Sequence, residues 1–192
     1  MDNLLKAANK YAEGLKHVER RRATWQIISK ELKGILLEIA DHLNSTAEYK
    51  PGYYVDLSHA YDDEINGTCV QMPLVTFRSG NMPMGMSFNS SVNGIKEYTE
   101  KGFKIGFYPA VTGLIFVMLH LHHNDFQPEE LPPASLMVID DPNELSKELV
   151  QELIAQGIET AYQSSYTGIS EHQEPTYSPI GFKMHDTTEP TQ

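Results

Sequence analysis

Residues 2–43 read DNLLKAANKYAEGLKHVERRRATWQIISKELKGILLEIADHL and determine how the rest of the chain is organised. The segment contains no proline, and its apolar residues recur in alternating steps of four and three. That spacing places them along one side of an α-helix, where they form a continuous seam. The seam consists of Leu4, Ala8, Tyr11, Leu15, Val18, Trp25, Leu32, Leu36, Ile39 and Leu43, with polar breaks at Arg22 and Ser29. We therefore predict one long N-terminal helix.

This helix is too long for a compact domain to cover. Forty helical residues run about 60 Å, whereas a globule of this chain length has a diameter of about 42 Å. The N-terminal half would extend beyond the body and expose its apolar side chains unless a second copy covered them in a symmetric homodimer. The predicted dimer interface consists of Leu4, Tyr11, Leu15, Val18 and Trp25. The alternative is a break at Gly14 or within residues 17–22, which would turn the segment into a helical hairpin.

The composition is that of one globular domain with appendages. Of the 192 residues, 40% are hydrophobic and 21% are charged, and both fractions are ordinary for a globular protein. We divide the chain into a dimerisation helix over 1–48, an α+β domain over 49–167 and a flexible tail over 168–192. The tail is rich in Pro, Glu, Thr and Ser, and the apolar alternation at 180–184 within it is able to add as a strand to a sheet edge.

The charge distribution excludes several classes of partner. The formal net charge is -11, which repels nucleic acid and anionic lipid, so we expect neither nucleic acid nor membrane as a partner. The longest apolar stretch, Leu114–Leu119, is too short to span a bilayer. The single cysteine, Cys69, forms no intramolecular disulfide, and the N-terminus lacks the pattern of a signal peptide. These features favour a cytoplasmic protein.

The central region predicts an antiparallel sheet of five or six strands. Runs of β-branched and alternating apolar residues mark the strands Tyr53–His59, Thr68–Arg78, Met82–Asn89, Phe103–Pro109, Leu114–His122 and Ser135–Ile139. Asp62–Glu64 together with Asn66 and Gly67 indicates a turn, and Pro73 indicates that the second strand is bulged, lies at an edge or begins only at Leu74. A short inserted helix is predicted from Ser90 or Ser91 to Lys101.

A C-terminal helix is predicted to pack on this sheet. Asp141 reads as its N-cap, with Pro142 at the first helical position and Glu144 completing a capping box. Gly157 is the predicted stop, and the pattern over 158–166 is compatible with either helix or strand. The predicted buried positions are Leu145, Leu149, Leu153 and Ile154. The fold class is therefore α+β, with a long helix before the sheet and a second helix after it.

Two groups of residues are candidates for binding. Strict alternation would place Met82, Met84, Met86 and Phe88 on one face of a strand, where adaptable thioethers are suited to a small apolar ligand but more often fill a core. His120 and His122 would point the same way on a strand and, with Asp125, are a candidate metal site. The acids at 62–64 are further possible ligands. The competing interpretation of the histidines is the polar end of a buried strand.

No catalytic motif accompanies these groups. The sequence contains neither a nucleophile elbow, nor a Walker phosphate loop, nor a dinucleotide fingerprint, and we expect no cofactor. We therefore favour a non-catalytic homodimeric module that binds a partner protein or a small apolar ligand. The alternatives are a metal-dependent enzyme using the His-x-His pair and an adaptor or chaperone-like protein that holds a client segment.

Overall fold

The computed structural model describes residues 2–46, 51–65, 68–89, 94–121, 123–124 and 132–165. Within these ranges, side chains are described except at 60–65, 68–70, 83–89, 94–98 and 123–124. The chain begins with helix α1, Asp2–Thr46, which is unbroken. The predicted long helix is confirmed, and the hairpin alternative is wrong.

In the described part of the chain, eight strands follow α1. They are β1 (Tyr53–Ile65), β2 (Thr68–Ser79), β3 (Met82–Asn89), β4 (Gly94–Lys101), β5 (Lys104–Pro109), β6 (Ile115–His120), β7 (His123–Asn124) and β8 (Ala134–Ile139). Five of them form an antiparallel sheet in the order β1-β2-β5-β6-β8, and three form a smaller sheet in the order β3-β4-β7. Helix α2, Lys147–Ser164, closes the described chain. The predicted α+β class, with helices before and after a five-stranded antiparallel sheet, is confirmed.

The predicted short inserted helix is wrong, because strand β4 occupies its place. β4 pairs with β3 in an antiparallel hairpin, with Phe88 opposite Ile95 and Asn89 opposite Gly94. Ile95, Tyr98 and Thr99 are β-branched or aromatic residues that favour a pleated surface. Pairing with β3 therefore overrides the capping signal of the serines.

The predicted turn at Asp62–Glu64 is also wrong. β1 continues through these residues to Ile65, which lies opposite Thr68 of β2. The register between the two strands shifts between His59 and Tyr61, beside Pro73. Proline has no N–H to give to a strand ladder, so a local irregularity is expected at this point. The extra residue lies on β1, between His59 and Tyr61, and not on the strand that carries Pro73. That strand begins at Thr68 and lies between β1 and β5, so the alternatives of an edge strand and of a start at Leu74 are wrong.

The helix start predicted at Asp141 belongs to a different element. The Asp141 side chain accepts a hydrogen bond from the Asn143 backbone N–H at 3.0 Å and caps only a short 3-10 helix, Pro142–Glu144. Ser146 caps α2 through a 3.2 Å hydrogen bond from the Leu149 N–H. Gly157 does not end α2, because it is buried in the middle of the helix. Residues 158–164 are helical, which resolves the ambiguity of the sequence pattern.

The core lies between the two helices and one face of the large sheet, which we call the inner face. Trp25 of α1 and Phe77 of β2 are wholly buried, so Trp25 belongs to the core of its own chain and its assignment to a dimer interface is wrong. Other core residues include Leu32, Leu36, Val75, Ile105, Phe107, Val117, Leu119, Val150 and Leu153. We call the opposite side of this sheet the outer face.

None of the described helices is long and apolar enough to cross a membrane.

Candidate functional site

The first 16 described residues of α1 extend beyond the other described parts of the chain. Every residue from 2 to 17 is exposed, and the segment, which we call the overhang, is about 24 Å long at the usual helical rise. Leu4 is 76% exposed, Tyr11 71% and Leu15 49%, whereas Val18 is half-buried. Apart from Trp25, the side chains predicted to form a dimer interface therefore lie at or beside the overhang.

The charges of the overhang are segregated from its apolar seam. Continuing the four-three spacing as heptads puts Leu5, Ala7, Ala12 and Gly14 on the two flanks of the seam. All four flanking residues are uncharged, and two alanines and a glycine leave room for a neighbouring backbone to approach. The charged residues Asp2, Lys6, Lys10, Glu13 and Lys16 occupy outer positions. The overhang is thus amphipathic, with an apolar stripe that no described residue covers.

Three arginines fix the helix to the body directly after the overhang. Arg21 pairs with Asp140 at 2.7 Å, the Arg22 Nε donates to the Val111 carbonyl oxygen at 2.7 Å, and Arg20 lies 3.8 Å from Asp141. The three arginines form a basic cluster on α1. Its attachment role depends on two acids and a turn that are remote in sequence, so no local signal reveals it.

A groove of about 510 Å³ runs between the end of α1 and the start of α2. Its apolar lining consists of Ile39, Leu43, Ile154, Ala155 and Ile158. The polar side chains on it include Glu38 and Lys147, which form a 2.6 Å ion pair across the two helices. This hydrogen bond and the Glu38 charge raise the pKa of Lys147 above its usual value. Sequence reasoning missed the groove because its two sides are about a hundred residues apart.

The predicted methionine site lies on β3, where the backbone register qualifies the prediction. The pairing with β4 shifts between Pro83 and Gly85. Met82 lies opposite Glu100 of β4, so an unbroken register would place Met86 opposite Lys96. Met86 instead lies opposite Glu97. Strict alternation is therefore interrupted within the strand. Met82 is half-buried, the side chains of Met84, Met86 and Phe88 lie outside the described set, and the site stays a prediction.

His120 ends β6 on the outer face and meets a phenol. The Tyr108 hydroxyl oxygen lies 2.8 Å from His120 Nε2. The Tyr108 ring lies over Gly106, and a Cβ at this position would come within 2.3 Å of the ring. A side chain at position 106 would thus displace the ring that holds the imidazole.

Only some of the predicted metal ligands lie among the described residues. His122 and Asp125 lie outside the described residues, so the His-x-His hypothesis stays a prediction. Among the described residues, no group of three His, Cys, Asp or Glu is placed to hold a metal ion. The acids at 62–64 are remote from His120. Across the sheet, His120 pairs with Lys104, Lys104 with Arg78 and Arg78 with Tyr54, so Tyr54 is the β1 residue level with His120. Asp62 lies eight residues, or about 26 Å, further along β1.

Comparisons of the chain with protein-family models, with curated proteins and with solved structures gave no match.

Proposed function

We propose that this chain is a non-catalytic binding module that acts as a homodimer through the overhang. The observation that carries the proposal is the continuity of the seam: the same spacing that buries Trp25, Leu32 and Leu36 in the core continues into the exposed Leu4, Tyr11 and Leu15. Burying one large apolar side chain stabilises a complex by about 2 kcal/mol. The exposed stripe therefore favours association with another apolar surface.

A second copy suits this stripe because the stripe is self-complementary. In an antiparallel pair centred on Tyr11, Leu4 of one copy would lie beside Val18 of the other, and Ala8 beside Leu15. In this register Ala8 would face the larger Leu15, Tyr11 would meet its counterpart on the other copy, and the uncharged flanks would approach without desolvating any charge. The lysines would stay on the outside of the pair.

Light scattering of the full chain over a range of concentrations tests the dimer. We expect the wild type to have twice the mass of the chain, and a Tyr11→Glu/Leu15→Glu variant to be monomeric, because it places carboxylates within the stripe. A matched control, Asn9→Glu/His17→Glu, adds the same two charges at outer positions of the helix and should stay dimeric. A monomeric wild type at high micromolar concentration, or equal masses for all three proteins, would overturn the proposal.

The groove between α1 and α2 supports the binding part of the proposal. Its volume of about 510 Å³ is within the range of small-molecule sites, and five apolar side chains line it, so the ligand class is a small apolar molecule. The fluorescence of an environment-sensitive apolar dye tests this directly. Ala155→Trp would fill the groove from an exposed position and should abolish the fluorescence gain, whereas Gln156→Trp, next to it and outside the groove, should not. Equal dye binding by both variants would contradict a ligand site here.

We place this activity in the cytoplasm. The single cysteine and the acidic composition support that location. Fractionation of cells that express the tagged chain would test it, and recovery from a secreted or membrane fraction would contradict it.

A further inference from the structure

The outer face carries a row of basic side chains across three neighbouring strands. Arg78 of β2 lies opposite Lys104 of β5, and Lys104 lies opposite His120 of β6. Partners directly opposite in an antiparallel sheet share a face and have Cβ atoms about 5 Å apart. Arg78, Lys104 and His120 therefore stand side by side on the face that α1 and α2 leave uncovered.

Only part of this positive charge is compensated. Arg78 pairs with Asp56 at 2.6 Å, and its guanidinium lies 5.0 Å from the centre of the Tyr54 ring. Lys104 is half-buried, and none of the hydrogen bonds or ion pairs among the described side chains involves it. Like charges directly opposite each other in a sheet are destabilising. The row thus keeps an uncompensated ammonium between a guanidinium and an imidazole, in a chain whose net charge is -11.

The imidazole next to Lys104 is held in place. The Tyr108 hydroxyl lies 2.8 Å from His120 Nε2, and Gly106 provides the space in which the Tyr108 ring crosses the strand. Lys104 lies directly opposite this imidazole in the sheet, and hydrogen bonds from a charged ammonium to an oxyanion are stronger than those between neutral groups.

We propose that the outer face binds a small oxyanion, a carboxylate or phosphate group, between Lys104 and His120. The Lys104 ammonium supplies the charge, and the Tyr108–His120 pair supplies positioned polar groups beside it. A bound oxyanion supplies the negative charge that Lys104 lacks among the described side chains. This site lies on the side of the sheet opposite the groove, so it is independent of the homodimer and of the apolar ligand.

Titration of the isotope-labelled full chain with inorganic phosphate and, separately, with acetate tests the site by NMR. Sodium chloride is exchanged to keep the ionic strength constant, because screening alone moves many signals. We expect saturable shifts confined to backbone amides of β5 and β6. Shifts with phosphate only, with acetate only or with both support the proposal and identify the oxyanion. No saturable shift with either anion at tens of millimolar overturns it.

Matched variants distinguish a specific anion site from a general attraction to positive charge. Lys104→Met should abolish saturable binding, Lys104→Arg should retain it, and Lys30→Met, which removes one exposed lysine from α1, should leave it unchanged. Tyr108→Phe keeps the ring over Gly106 and removes the hydroxyl, and should weaken binding about fivefold. Equal binding by the Lys104→Met and Lys30→Met proteins would overturn the proposal, since the anion would then respond only to net charge.

Discussion

The indole Nε1 of Trp25 donates a hydrogen bond to the carbonyl oxygen of Pro73 at 2.8 Å. This bond ties the middle of α1 to β2 at the point where the β1–β2 register shifts. Pro73 has no N–H for the ladder, and the helix satisfies its carbonyl from the side. One side chain thus fixes both the position of the long helix and the irregular part of the sheet.

Trp25→Phe should therefore destabilise the protein by about 3 kcal/mol, because it leaves a void in the core and an unpaired carbonyl oxygen. Urea unfolding followed by far-UV circular dichroism measures the loss, since Trp25 is the one tryptophan and its fluorescence disappears in the variant. Ile27→Ala, at a position on the same helix that is 63% exposed, should change stability by no more than about 0.5 kcal/mol. Similar losses in the two variants would contradict the role assigned to Trp25.

Gly157 lets α2 pack closely against β5. A Cβ at Gly157 would lie 2.3 Å from the Ile105 Cδ1 atom, and Ile105 is wholly buried. Gly157→Ala should cost about 1–2 kcal/mol net, because overpacking outweighs the gain in helix propensity. Gly34→Ala, where a Cβ meets nothing within 4 Å, should instead stabilise the protein by up to about 1 kcal/mol. Thermal unfolding of both variants checks the two opposite signs.

The sequence predicted those elements whose periodicity is set by their own residues. The four-three spacing of the seam predicted α1, and five of the six predicted strands lie in the large sheet, although β1 continues six residues beyond its predicted end at His59. Predictions failed for segments whose structure depends on contacts with residues distant in the sequence. Local capping signals favoured a helix before Lys101, but the segment pairs with β3 as strand β4. Gly157 resembled a helix stop because its contact, Ile105, is fifty-two positions away in the chain.

The same limit applies to the sites. The exposed stripe on α1 followed from helix length and spacing alone, whereas the contact between Tyr108 and His120 depends on strand register and on the space over Gly106. The groove needs two helices that come together only through the sheet. Sequence patterns therefore located the surface made by a single element and missed each site assembled from two.

Asn44 joins the end of α1 to the start of β1 with two hydrogen bonds. Its Nδ2 donates to the Tyr53 carbonyl oxygen and its Oδ1 accepts from the Tyr53 N–H, both at 2.9 Å. Asn44→Asp keeps the acceptor and loses the donor, so an oxygen would face the Tyr53 carbonyl and stability should fall by about 2 kcal/mol. Ser45→Ala, at the exposed neighbouring position, is the control and should cost much less in chemical unfolding. A smaller loss for Asn44→Asp than for Ser45→Ala would refute this account.

Asp141 should make stability depend on acidity. The Asn143 backbone N–H is the main cause of its lowered pKa, and the Asn143 side chain, Arg20 and Arg21 lower the pKa further. A carboxyl whose pKa is lower in the folded state stabilises that state above its unfolded pKa, and this contribution disappears as pH falls through the folded pKa. Asp141→Asn should therefore be less stable than wild type near neutral pH, with the difference shrinking below about pH 4. Unfolding free energies across that range test the sign, and a difference that grows on acidification would contradict it.

Removal of residues 2–17 should leave a folded body, because none of these residues is buried. In the proposed dimer the overhang contributes through association alone, so the Tm of the full chain should rise with protein concentration. The truncated chain should show one Tm at all concentrations, equal to that of the full chain at high dilution. Scanning calorimetry at several concentrations measures both. A truncated chain that melts well below the diluted full chain would show that the overhang stabilises its own body, and a full chain with a concentration-independent Tm would remove the thermodynamic support for pairing.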